Sequence, residues 1–167
     1  MTLRGVPVVY YGDQQGFAGS GGDQDARQDM FASKTASYNA EHLIGTSATT
    51  TQSNFGANHP LYKTISTLAT LRRANAALRQ GDQVVRAYAR TPGIFAVSRL
   101  DARSNTEILI AFNTSKQAID AQVEADPHSL HFRSQRGNCA TTQAASGSYH
   151  VQIPALGYVT CASAAAP

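Results

Sequence analysis

The pattern of hydrophobic and polar positions changes near Gly81. Before that residue, the run 6–11 (VPVVYY) is continuous in apolar and aromatic side chains, which is typical of a strand buried on both faces of a parallel sheet. A second segment starts at Pro60 and repeats apolar residues about every 3.6 positions, so it predicts an α-helix that ends at Gly81. The Gly-rich stretch 12–22 predicts a long surface loop, and residues 25–30 suggest a short helix.

Beyond Gly81 the chain consists of short segments in which apolar and polar residues alternate, separated by turn residues. This alternation is the pattern of strands that bury one face, and no convincing helix interrupts the series. Seven strands at close spacing predict an antiparallel Greek-key β-sandwich. The predicted strands are residues 84–89, 94–100, 107–113, 118–124, 130–134, 148–153 and 157–161.

The composition indicates a globular chain that is folded almost throughout, and the predicted helix and strands together make its class α+β. Hydrophobic residues make up 42% of the 167 positions, which is enough for one sizeable core or two small lobes. We therefore expect one domain at 1–81, a second at 82–162 and a frayed tail at 163–167. The 14 basic and 11 acidic residues are scattered, which argues against a nucleic-acid partner. No apolar run reaches the roughly 18 residues of a membrane span.

Cys139 and Cys161 are the only cysteines, and neither has a further cysteine or histidine at the spacing of a zinc site. A structural disulfide is the best interpretation. It would close a loop of about 22 residues and contribute about 3 kcal/mol in an oxidising compartment. We expect no metal site elsewhere in the chain.

Residues 5–13 (GVPVVYYGD) resemble the last barrel strand of the α-amylase family of glycoside hydrolases. The resemblance continues through the first half of the chain and into two segments that look like early strands of domain C, the β-sandwich that follows the barrel in that family. The further matching segments are residues 15–17 (QGF), 22–31 (GDQDARQDMF), 60–73, 92–96 (PGIFA) and 111–113 (AFN).

This resemblance implies a remnant of a TIM (β/α)8 barrel, with one strand and helices, followed by the antiparallel sandwich. It also implies starch and related α-1,4-glucans as the substrate class, and a secreted protein. The family's aspartate nucleophile, glutamate acid/base, second aspartate and calcium ligands all precede the position that Gly5 matches. We therefore expect a truncated enzyme that begins inside the barrel, with no assignable catalytic residue and no cofactor. Gln14 departs from the family, since many members carry Glu there.

Four carboxylates offer an alternative catalytic set, because glycosidic cleavage needs a pair of them facing each other across the sugar. They are Asp23, Asp25, Asp29 and Glu41, and they would make the chain a small autonomous starch hydrolase. The simpler interpretation is a solvated loop in which an aspartate caps the following turn.

Aromatic residues around the first loop suggest contact with an α-glucan, because aromatic rings stack on sugars. By the resemblance, Tyr11, Asp13 and Phe17 are candidate substrate-binding residues, with Tyr10 and Tyr38 nearby. A catalytically inert glucan-binding or structural module is therefore a third hypothesis, although the chain has no Trp for a sugar platform. Because the strand 6–11 has lost its barrel neighbours, we also expect self-association through it.

Overall fold

The computed structural model describes residues 1–19 and 21–163. Within these ranges the protein is of α+β class, with short helices followed by strands whose pairings are all antiparallel. The helices are α1 (Ala36–Asn39), α2 (Pro60–Ala74) and α3 (Ala76–Gln80), and the strands are β1 (Asp82–Tyr88), β2 (Ile94–Asp101), β3 (Thr106–Asn113), β4 (Ile119–Glu124), β5 (Phe132–Arg136), β6 (Ser148–Ile153) and β7 (Tyr158–Ser163).

The chain divides into two compact units. The first comprises Met1 and Val6–Thr70, and the second comprises Thr2–Gly5 and the chain from Leu71 onward. This division lies before Gly81, where the sequence pattern changes, because α3 is buried against β2 and β3 of the second unit.

The second unit contains a five-stranded sheet, in the order β1-β2-β3-β7-β5, and a two-stranded sheet of β4 and β6. The central strand β3 is buried on both faces. Leu109 and Ala111 join a core cluster with residues of both sheets, whereas Ile108 and Ile110 join a cluster with α3. The larger sheet therefore packs against the smaller sheet on one face and a helix on the other.

All seven predicted strands form, with ends shifted by at most a few residues. The frayed tail predicted at 163–167 does not include its first residue, because β7 continues to Ser163, which is 5% exposed. Pairing with Phe132 of β5 holds Ser163 in the sheet. Residues 164–167 of the predicted tail lie outside the described residues. Cys161 is fully buried in β7 and forms a disulfide with Cys139, 22 positions earlier.

The strand predicted at 6–11 is wrong: this segment has no helix or strand structure, and it is exposed rather than buried. Val6 and Val8 are 89% and 82% exposed. A β-strand needs a neighbour to receive its backbone hydrogen bonds, and no described segment of the chain pairs with this one. An apolar composition alone therefore does not produce a strand here.

The helix predicted from Pro60 begins at that residue but breaks at Asn75, whose extended backbone (φ −120°, ψ 114°) separates α2 from α3. The short helix predicted at 25–30 does not form, and turns occupy residues 23–26 instead. None of the described helices is both long and apolar enough to cross a membrane.

The loops of the first unit are joined by side-chain hydrogen bonds instead of a sheet. The Gln15 amide donates to the Gly56 carbonyl (3.0 Å), and the fully buried Thr50 hydroxyl donates to the Asn39 side chain (2.6 Å). Met30 supplies a small buried apolar centre. Polar contacts between loops therefore contribute much of the order in this unit.

Candidate functional site

A tight turn presents two tyrosines at the surface of the first unit. The Asp13 carboxylate accepts a hydrogen bond from the Tyr10 backbone N–H (2.7 Å), and the Asp13 N–H donates to the Tyr10 carbonyl (3.1 Å). Gly12 adopts a φ of 91°, and a Cβ at this position would meet the Phe17 ring at 3.1 Å. Only glycine combines this left-handed conformation with such close packing.

The Tyr11 hydroxyl joins this turn to the acidic loop, which is the segment that carries Asp23, Asp25 and Asp29. The hydroxyl donates to Asp29 Oδ1 (3.0 Å) and accepts from the Met30 backbone N–H (3.1 Å). Asp29 Oδ1 also accepts from the Phe31 N–H (2.9 Å). The Phe31 N–H, followed by the Tyr11 hydroxyl, lowers the pKa of Asp29 below its ordinary value, so this carboxylate remains ionised.

A surface cavity of about 520 Å³ lies beside the turn. Three of its lining residues, Tyr62, Ile65 and Ser66, lie on one face of α2, since they are spaced i, i+3 and i+4. Tyr62 is not among the residues predicted from the sequence, although its helical spacing to Ile65 and Ser66 is a signal that could have identified it. The cavity is lined by Val9, Tyr10, Tyr11, Gln14, Tyr62, Ile65 and Ser66.

Of the predicted substrate-binding residues, Tyr11 lines the cavity. Asp13 and Phe17 instead stabilise the turn from within, Asp13 through the Tyr10 N–H and Phe17 through its packing on Gly12. The site therefore combines exposed aromatic rings with the Gln14 amide, a combination that suits a neutral, hydroxyl-rich ligand.

The four candidate carboxylates have separate surroundings. Asp23 forms an exposed ion pair with Arg27, Glu41 accepts from the Gln28 amide (3.2 Å), and Asp29 contacts Tyr11. Among the described residues there is no group of three or more His, Cys, Asp or Glu side chains that would hold a metal ion.

The surroundings of Asp29 do not suit a general acid. Glycosidases raise the pKa of the acid by burial so that it carries a proton at neutral pH, whereas hydrogen bonds lower the pKa of the exposed Asp29. Asp25 is half-exposed and lies against Gly21, where a Cβ would meet its Oδ2 at 1.8 Å. The acidic loop thus shows the features of a solvated, internally bonded loop.

Comparison with known proteins identifies relatives of the chain. No protein-family model matches it. It is, however, 44% identical over 162 residues, 96% of its length, to an α-amylase of Streptomyces lividans. The chain is an α-amylase homologue. It spans only 18% of the length of that relative, and a β/α-amylase of Paenibacillus polymyxa matches half of the chain at 35% identity but is matched over only 5% of its own length.

Solved structures have the same fold as this α-amylase homologue over nearly its whole length. An α-amylase from H. orenii superposes with a TM-score of 0.63 at 16% identity, covering 98% of this chain and 33% of the other. A cyclomaltodextrinase superposes with a TM-score of 0.60 at 22% identity, covering 98% and 24%. At these identities the likeness concerns the fold alone.

Proposed function

We propose that this chain is the C-terminal part of an α-amylase-type glycoside hydrolase that acts on starch and related α-1,4-glucans. Its first unit corresponds to the last barrel strand and helix, and its second unit to the β-sandwich of domain C. The catalytic carboxylates and the calcium site belong to the preceding part of such an enzyme. The chain is then a structural portion of the enzyme and not a complete catalyst.

The observation that carries this proposal is the extent of the match to the Streptomyces α-amylase. Identity of 44% extends over 162 residues and so includes both compact units, while the chain spans only 18% of that enzyme. A match that ran through the sandwich alone would fit a shared accessory domain. A match through both units supports descent from the junction between barrel and sandwich.

The surroundings of the acidic residues support an inert chain over a small autonomous hydrolase. A glycosidase must hold an acid and an ionised partner across the sugar and lower the barrier by at least about 8 kcal/mol. Here the carboxylates of Asp23, Asp29 and Glu41 contact three different partners in loops.

Release of reducing sugar from soluble starch tests this proposal. We expect the purified chain to show no more than trace turnover, and Asp25→Asn and Asp29→Asn to leave that trace unchanged. Robust turnover that either substitution abolishes, in a variant that remains folded, would instead establish the small hydrolase.

Glucan binding without catalysis is a second candidate function, and the tyrosine-lined cavity favours it. Tyr10 and Tyr62 are 73% and 41% exposed at its rim, so their rings are accessible to a sugar face. Sedimentation with insoluble starch measures this binding. Tyr10→Ala should reduce the bound fraction, whereas Tyr88→Ala, which removes a 68% exposed ring from β1, should not. Equal sedimentation of both variants would contradict binding at this cavity.

A further inference from the structure

The smaller sheet of the second unit has a polar outer face. Along β6, Tyr149, Val151 and Ile153 are buried in the core, so the residues between them point away from it. The same alternation holds in β4, and the outward residues of the two strands are paired across the sheet. They are Asp120, Gln122 and Glu124 of β4 and Ser148, His150 and Gln152 of β6. None of them is apolar, which is typical of a sheet face that meets solvent or a polar ligand.

Four polar side chains on and beside this face are joined in one chain of hydrogen bonds. The Asn138 amide donates to Gln152 Oε1 (3.4 Å), and the Gln152 amide donates to Asp120 Oδ2 (3.1 Å). His150 Nε2 lies 2.5 Å from Asp120 Oδ1. The hydrogen bonds from His150 and then Gln152 lower the pKa of Asp120, so its carboxylate remains an ionised acceptor. The network therefore orders exposed groups that would otherwise keep their rotamer freedom.

A cavity of about 360 Å³ opens beside this network. The Asp120 carboxylate and the Gln152 amide are its polar groups, and its other lining residues are apolar. It is lined by Ala118, Ile119, Asp120, Gln152, Ile153 and Pro154. A smaller cavity of about 120 Å³ adjoins it at Gln152 and is also lined by Asn138, Cys139, Ala140 and His150. A few placed polar groups in an otherwise apolar hollow are the usual composition of a small-molecule site.

Asn113 holds the walls of the larger cavity in place. This residue is 3% exposed, and its side-chain amide donates to the carbonyls of Gln117 (2.7 Å) and Pro154 (3.1 Å). Its Oδ1 accepts from the Ser115 N–H (2.8 Å). These bonds join the turn before β4, which leads to Ala118, to the turn after β6, which begins at Pro154. The cavity is therefore formed before any ligand binds, which lowers the cost of binding.

We propose that the two adjoining cavities bind a short α-glucan on the sandwich, in addition to the tyrosine-lined cavity. The choice of glucan rests on the proposed function, whereas the polar groups define the chemistry. Each Asp120 oxygen keeps a lone pair, and the Gln152 amide keeps an N–H. Sugar hydroxyls donate strongly to a carboxylate and accept from an amide, while the C–H face of the ring packs on Ile119 and Pro154. Two cavities that share one side chain suit consecutive rings of a chain.

Titration of the ¹⁵N-labelled chain with maltotriose tests the location of the site. We expect the amide resonances of residues 118–120 and 152–154 to shift in a saturable way. Tyr10→Ala, which alters the other cavity, should leave these shifts and their dissociation constant unchanged. Loss of the shifts in Tyr10→Ala would overturn the proposal, because binding would then depend on the first unit.

Substitutions on the outer face test the contacts. Asp120→Ala should raise the Kd for maltotriose by at least about tenfold, because it removes an ionised acceptor, and Gln152→Ala by about fivefold. Gln122→Ala is the matched control, since Gln122 lies on the same face of β4 but lines neither cavity. It should leave the Kd unchanged. All three side chains are exposed, and the dispersion of the amide spectrum shows directly whether each variant is folded.

The same samples separate this proposal from the proposed function. Absence of shifts at 118–120 and 152–154, or an equal Kd for Asp120→Ala and Gln122→Ala, would overturn the sandwich site and leave the assignment of the chain to an inert part of the enzyme untouched. Conversion of maltotriose to maltose and glucose, visible in the proton spectrum, would contradict the inert chain whether or not the sandwich binds.

Discussion

A buried carboxylate in the second unit provides a sharp test of how the sandwich is stabilised. The Glu107 side chain is fully buried on β3, where it accepts hydrogen bonds from the Ser98 hydroxyl, from the Arg86 guanidinium (3.4 Å) and from the Asp126 backbone N–H (3.1 and 3.2 Å). A bulge in β1 lies at Arg86, between its paired neighbours. Bulges re-aim side chains, and here the arginine reaches the carboxylate.

We expect Glu107→Ala to lower the free energy of unfolding by about 4 kcal/mol, because removing one partner of a buried ion pair leaves the other charge uncompensated. The Arg86 side chain is only 11% exposed, so water replaces little of the lost interaction. Glu107→Gln retains an acceptor of the same size and loses the charge. We therefore expect a smaller loss, of about 2 kcal/mol.

Urea denaturation followed by circular dichroism measures both effects, with an unchanged m-value as evidence that the compared states are the same. The double variant Glu107→Ala with Arg86→Met should recover part of the lost stability, because it removes the stranded charge. A loss below about 1 kcal/mol for Glu107→Ala, at constant m-value, would refute the view that this pair is essential to the sandwich.

Three further predictions concern other parts of the second unit. Burial raises the pKa of Tyr149 to about 12, so the stability that it contributes is complete below pH 10 and is lost as the pH rises through about 12. Absorbance of tyrosinate should show one of the seven tyrosines ionising late, and Tyr149→Phe should remove that step. The pKa of Asp126 is lowered, chiefly by the hydrogen bond from the His128 backbone N–H. The stability that the Asp126 carboxylate contributes is therefore present above pH 3.8 and is lost as the pH falls below that value. Asp126→Asn should therefore make the acid-induced loss of stability shallower, and an identical pH profile would contradict this. Replacing Cys139 and Cys161 together by alanine opens a loop of 22 residues and should lower the free energy of unfolding by about 3 kcal/mol. Reductant should then lower the denaturation midpoint of the wild type and leave that of the variant unchanged.

The sequence by itself determined the strands of the second unit and the start of the main helix. Short apolar-rich segments between turn residues are a local property of the sequence, and they placed all seven strands because most strands bury at least one face regardless of their partners. Pro60 marked the start of α2 because its missing N–H costs nothing in the first turn. The motif at 5–13 similarly pointed to the α-amylases, and the match to the Streptomyces enzyme agrees.

Tertiary structure decided the features that depend on neighbours. The run 6–11 has the composition of a buried strand, yet it is exposed because no described segment supplies backbone partners. The continuous apolar run 108–112 of β3 could not reveal which of its residues face α3 and which face the smaller sheet. The contacts of Tyr11 with Asp29 and of Arg86 with Glu107 join residues 18 and 21 positions apart. Such contacts follow from the paths of the loops and from the bulge in β1. The periodicity of a sequence does not encode them, because it indicates which residues are buried and not which residues cover them.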